Sequence, residues 1–167
     1  ILSQSELSIS KGRFQWLDDL DPEKNVELSG FNFLLRNEWG HHRLAVQAAP
    51  PRALAAPIDF RADLRQSVFA KRKLDVQTWS GDLFIDLQEA DLPKVQRYVS
   101  LPFKLEKSIG SLRAWLKLDN GRTADFTADL VLRDVLGRFR QDLPPLDMAS
   151  ISGRVVATER VIKDYRY

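Results

Sequence analysis

Apolar and charged residues alternate along one stretch of this chain after another. Ile58-Asp59-Phe60-Arg61-Ala62-Asp63-Leu64-Arg65 shows the pattern without a break, and Ala124 to Arg133 repeats it. A period of two sends successive side chains to opposite sides of a β-strand, one dry and one wet. Many such strands in series predict an antiparallel sheet with a single apolar side. What that side touches is the question of function.

Turn residues divide the chain into about nine strands and one short helix, the spacing of an all-β meander. Leu7-Ser8-Ile9 and Phe14-Gln15-Trp16 flank Lys11-Gly12 and predict a hairpin. Val26 to Leu35 predicts a long strand, with a bulge where the phase shifts at Gly30. A turn or kinked strand end over Asn37 to His42 leads into a strand carrying Leu44, Val46 and Ala48 on one side, closed by Pro50-Pro51. Ile58 to Arg65 follows, then a polar, basic loop over residues 66–75, then a strand with Leu83, Ile85 and Leu87 in phase. Asp91 is placed to cap a short helix with Pro93 in its first turn and Leu92, Val95 and Val99 on one side; Pro102 ends it. Leu112 to Leu118 and Ala124 to Arg133 pair across the hairpin turn Asp119-Asn120-Gly121. After a connection over Gly137 to Pro145, Ile151 and Val155-Val156 mark a last strand or two.

Composition narrows the picture. The chain has 167 residues, one domain's worth, and 44% of them are apolar, enough to fold. Lys and Arg total 25 against 23 Asp and Glu, a net charge of +2, without the basic field of a nucleic-acid binder. There is no cysteine, so no disulfide frame and no thiolate metal site. No run approaches the ~20 apolar residues of a membrane helix, and no signal peptide is visible. The chain opens Ile1-Leu2-Ser3 and its only methionine is Met148, so residues 1–167 are expected to be a segment of a longer protein.

Candidate chemistry is sparse. Glu38, His41 and His42 lie close in sequence, but strand neighbours point to opposite sides and only two histidines exist, so a structural turn is the simpler reading than a metal site. Asp59 and Asp63 share a strand side with Arg61 and Arg65, which reads as a solvated charged surface rather than an acid–base pair. Lys71-Arg72-Lys73 beside Phe69 is the only basic run and reads as a charged loop. Ser80 lacks the glycine that a nucleophile elbow needs two residues earlier, and Gly110 and Gly121 form no phosphate-binding fingerprint. Four tryptophans, Trp16, Trp39, Trp79 and Trp115, remain. Trp115 is out of phase with Leu112, Ala114 and Leu116, and is expected on the back of the sheet in a minor cluster under the short helix. No catalytic residue, cofactor or metal ligand is assigned.

Several segments read together resemble a known family. They are Phe14-Gln15-Trp16-Leu17-Asp18, Asn37-Glu38-Trp39-Gly40-His41-His42-Arg43-Leu44, Trp79-Ser80-Gly81-Asp82-Leu83-Phe84 with Asp91-Leu92 and Tyr98, and Gly110 to Leu116 with Asn120-Gly121. In this order and spacing the chain resembles the YhdP family of AsmA-like proteins of Gram-negative bacteria, over nearly its whole length. The resemblance implies a periplasmic segment of a long protein held in the inner membrane by one N-terminal helix. It also implies a strongly curved, twisted β-sheet unit, one of a repeating series forming a groove with its neighbours in the same chain. The groove's apolar inner surface carries phospholipid acyl chains toward the outer membrane and sustains its permeability barrier. The family brings no catalytic residues. Membrane contact is expected only through the anchor, and no nucleic-acid partner is expected.

The physics of such a conduit agrees with the pattern. Exposing acyl chains to water costs ~0.8 kcal/mol per CH₂, so one sixteen-carbon chain costs about 12 kcal/mol. A dry groove replaces bilayer contacts with protein contacts of similar free energy, and needs aliphatic walls without a buried polar anchor. Leu44, Val46, Ile58, Phe60, Leu64, Leu83, Ile85, Leu112, Leu116, Phe126, Leu130 and Leu132 are residues of that type at the required spacing, and are the expected groove lining. A plain β-sandwich acting as an assembly or adhesion module would use the same residues as a closed core. A glycan hydrolase or binder would instead place carboxylate pairs in a cleft lined by Trp79 or Trp115.

Overall fold

The computed structural model describes residues 5–66, 76–98, 104–138 and 144–159. Eight strands form one sheet: β1 (Glu6–Trp16), β2 (Val26–Glu38), β3 (His41–Ala49), β4 (Ile58–Gln66), β5 (Trp79–Asp91), β6 (Lys104–Asp119), β7 (Arg122–Arg138) and β8 (Leu146–Thr158). Each pairs antiparallel with its neighbours in sequence, so spatial order equals chain order and the sheet is open, with β1 and β8 at its edges. One short helix, α1 (Leu92–Val95), follows β5, and 3₁₀ turns occupy Pro22–Lys24 and Val76–Thr78.

Asn120-Gly121 is the hairpin turn expected, and the turn or kinked strand end expected over Asn37 to His42 is a second tight hairpin at Trp39-Gly40. Trp39-Gly40 and Asn120-Gly121 both take positive φ at both positions, the conformation that two-residue turns between twisted strands require. Asp91 caps α1, its carboxylate accepting from the Lys94 amide at 3.3 Å, with Pro93 in the first turn.

The first predicted hairpin is instead a single strand. Lys11 adopts φ +52° inside β1, and the register slips between Ile9 and Gly12 and again before Phe14. Lys11-Gly12 is therefore a bulge, and the described residues form eight strands rather than about nine. The Lys11 amide is met across the strand pair by Asn32 Oδ1 at 3.0 Å. The same device recurs in β5, where Glu89 has φ +50° and its amide donates to Ser111 Oγ at 3.2 Å. Gly30 bulges β2 as expected, at φ +55°. Further slips interrupt β6–β7 between Leu105 and Ile109. Bulges bend and over-twist the strands that carry them, so the open sheet matches a curled groove.

The two sides of the sheet differ throughout. On one, β4 to β8 align Phe60, Ile85, Ala114, Ala128 and Val155 in a row, with Ala62, Leu83, Leu116, Phe126 and Ala157 in the next. On the other, Gln47, Asp59, Asp86, Arg113, Asp129 and Arg154 stand in one continuous cross-strand row. Arg113 bonds Asp86 at 3.2 Å, and Arg154 bonds Asp129 through two nitrogens at 2.6 and 2.8 Å. Asp59 and Asp86 would repel one another directly across β4–β5. Arg61, donating to Asp59 at 2.7 and 3.0 Å, and Arg113 offset this. The hydrogen bonds from Arg61 to Asp59 and from Arg154 to Asp129 hold both carboxyls below the usual carboxylate range. Solvent screens exposed pairs of this kind, so the charged side keeps register and solubility more than it adds stability.

The compact core sits at one end of the sheet. Leu105, Leu132 and Val135 are buried together, with Leu92, Leu130, Met148 and Ile151 packed around them. Leu92 of α1 lies directly over Gly110, where an added Cβ would come within 2.9 Å of it. Gly110 pairs with Leu132 in phase with Leu112, so α1 packs on the apolar side. This corrects the expectation of a helix across the back above Trp115. Trp115 is on the back as its phase implied, but its ring partner is Phe84 on the adjacent strand, 5.5 Å between centroids. Val99, Pro102, the basic run Lys71-Arg72-Lys73 with Phe69, and Tyr165 to Tyr167 lie outside the described residues.

Candidate functional site: the uncovered apolar side of the sheet

Register gathers the expected lining residues onto one surface. Leu44, Val46, Ile58, Phe60 and Leu64 occupy it on β3 and β4, where Val46 opposes Phe60. Leu83 and Ile85 continue it on β5, opposite Leu116 and Ala114. Leu112 opposes Leu130, Leu116 opposes Phe126, and Gly110 opposes Leu132. Each strand hands the surface to the next because β3 to β5 keep register without a slip.

Of these residues only Leu132, under α1, is buried; the others remain half-buried. A closed sandwich presses a second layer onto such side chains and buries most of them almost completely. Here the small residues Ala62, Ala114 and Ala128 are the ones shielded, by their larger neighbours in the sheet itself. Among the described residues the surface is therefore a single layer of hydrocarbon, capped at one end and uncovered over the rest.

Sequence reasoning missed part of the surface. Leu7 and Ile9 of β1 oppose Leu35 and Phe33 of β2, and Phe14 stacks on Phe31, which stacks on Phe33. Trp16 continues that row at the β1 edge and is 55% exposed. The aromatic spacing of β2 carried the signal, but the Lys11 bulge shifts the phase of β1 and hides it.

The hairpin end of the same surface is polar. His42 opposes Leu64 and is buried, its ring stacked on Trp79 at 5.2 Å. His42 Nδ1 donates to Asn37 Oδ1 at 2.7 Å, which fixes the tautomer of the neutral ring. Burial, and then the charge of His41, lower the His42 pKa. Trp79 Nε1 is buried without an acceptor. His41 points to the charged side, where it bonds Asp63, as the opposite-side argument required. That bond is the main cause that lowers the Asp63 pKa, with Arg43 and Arg65 adding to it.

Among the described residues no group of three or more His, Asp or Glu is placed to hold a metal ion. No helix among them is long and apolar enough to cross a membrane. Asp59 and Asp63 face the solvated side and are engaged by Arg61 and by His41 and Arg43.

No curated protein and no solved structure matches the chain. A family model, that of the YhdP protein, matches residues 1–166. An all-β, open antiparallel sheet agrees with the curled sheet unit that the resemblance implied, and the one short helix among the described residues is the one that the sequence pattern placed after Asp91. The chain belongs to the YhdP family.

Proposed function

We propose that this chain is a segment of a bridge-like phospholipid-transport protein, in which the uncovered side of the sheet shields acyl chains while head groups stay in water. The observation that carries this is the one-sided surface from β2 to β7, continuous across the strands and only partly buried among the described residues. About 12 kcal/mol opposes exposing one sixteen-carbon chain to water, and a layer of Leu, Ile, Val and Phe removes most of that opposition. Low specificity suits transport, since strong retention of any one lipid would stall it. The segment does this without chemistry or cofactor, as part of a periplasmic chain anchored in the inner membrane, with neighbouring segments of the same chain extending the groove.

The test is native mass spectrometry of the purified protein for co-purifying phospholipid, with two variants alongside. Phe60→Asp places a charge on the apolar surface and is expected to abolish lipid retention. Asp59→Ala alters the opposite side one residue away and is expected to leave it. Equal effects, or no lipid in the unaltered protein, would overturn the reading.

A further inference from the structure

The two ends of the apolar surface are unlike. At the α1 end it is shut. Ala55, Ala90, Leu105, Ser108 and Val135 are all 0–3% exposed there. The connection between β3 and β4 is tied down by Ala56 N donating to Gln88 O at 3.0 Å and Asp91 N to Leu54 O at 2.8 Å, and Lys94 Nζ clamps Ala53 O at 2.9 Å. At the hairpin end the surface turns from aliphatic to polar through Asn37, His42, Gln66 and Trp79. An open hollow of about 400 Å³ adjoins that end, lined by Glu38, Trp39, Gly40, His41, Arg65 and Gln66.

We propose that a phospholipid on this surface lies along the strands, its phosphate-bearing head group at the His42–Trp79 end and its acyl tail directed toward α1. The inference rests on the lipid reading above and adds a polarity to it. An acyl terminus needs no hydrogen bond and suits a closed aliphatic end. A head group needs water and donors, and among the described residues lining this surface the polar groups gather at the hairpin end. Indoles favour the boundary between hydrocarbon and water, and the Trp79 N–H is a donor without an acceptor at that boundary. The dimensions agree. From Ile58 to Leu64 the aliphatic run of β4 spans ~20 Å at about 3.3 Å per residue, against ~15 Å for one leaflet of a ~30 Å hydrocarbon core.

Trp16 and Trp79 face the same surface from opposite strand ends, which makes the polarity measurable. The full chain is prepared with Trp79 as its only tryptophan, the others changed to Phe, and separately with only Trp16. Each is loaded with phosphatidylcholine brominated at acyl carbons 6 and 7 or at carbons 11 and 12, and quenching of indole fluorescence is read. Trp79 is expected to be quenched at least twofold more by the 6,7-bromolipid, and Trp16 more by the 11,12-bromolipid. Equal or reversed depth profiles, with quenching present, would overturn the polarity and leave the lipid reading intact. Absence of quenching in both proteins would overturn the lipid reading, and the polarity with it.

Discussion

Two leucines on the same surface should respond very differently to truncation. Leu132 is 7% exposed and enclosed by Leu105, Val135, Leu92, Met148 and Ile151. Leu132→Ala removes nearly the full transfer free energy of the side chain and leaves a walled cavity, a loss of about 3 kcal/mol. Leu116 opposes Leu83 and Phe126 in mid-sheet but is only half-buried. Leu116→Ala opens no closed cavity, because neighbouring side chains and solvent fill the space, and about 1 kcal/mol is expected from lost area alone. The ~2 kcal/mol difference corresponds to ~4–8 °C in melting temperature for a domain of this size. Thermal and urea unfolding of the lipid-free protein, followed by circular dichroism, measure it. A Leu116→Ala loss equal to that of Leu132→Ala would mean that a second layer covers the surface, and the open-sheet account would be wrong.

Gly81→Ala should cost more than about 3 kcal/mol, because φ is +145° and the new Cβ would lie 2.0 Å from Asp63 O across β4–β5, whereas Gly30→Ala meets open space at φ +55° and should cost only about 1 kcal/mol; similar melting temperatures for the two variants would contradict the β4–β5 geometry. Stability should also fall on mild acidification. The His42 pKa is lower folded than unfolded, so the unfolded chain binds the extra proton first; the stabilisation is complete above the ordinary histidine pKa of about 6.5 and is lost as pH drops from there toward the folded value. His42→Gln should flatten that slope in urea titrations between about pH 7.5 and 5, and an unchanged slope would assign it elsewhere.

Much of this was legible in the alternation, but not evenly. β4 and β7 keep a strict period through Ile58–Arg65 and Ala124–Arg133, so the side on which each residue lies could be read directly. The bulges at Lys11 and Glu89 could not, because neither residue type signals a positive φ; Gly30 did, and was readable. Lys11-Gly12 looked like a turn because the local pair has turn chemistry, while the partner that meets the bulge amide, Asn32, lies on another strand. The cap and proline of α1 were visible locally. Its docking side was decided by Gly110, whose missing side chain leaves a seat for Leu92 on the apolar surface. Phase alone places His42 with Leu44 and Val46, yet its stacking on Trp79 spans β3 and β5, strands that are not neighbours.

The most direct measurement of the central claim is photocrosslinking along β4. A benzophenone amino acid is placed singly at positions 58 to 65 of the full chain, and crosslinked phospholipid is detected by mass spectrometry. The account predicts lipid adducts at Ile58, Phe60, Ala62 and Leu64, and none at Asp59, Arg61, Asp63 and Arg65. Adducts without that period of two, or none at the apolar positions, would contradict it.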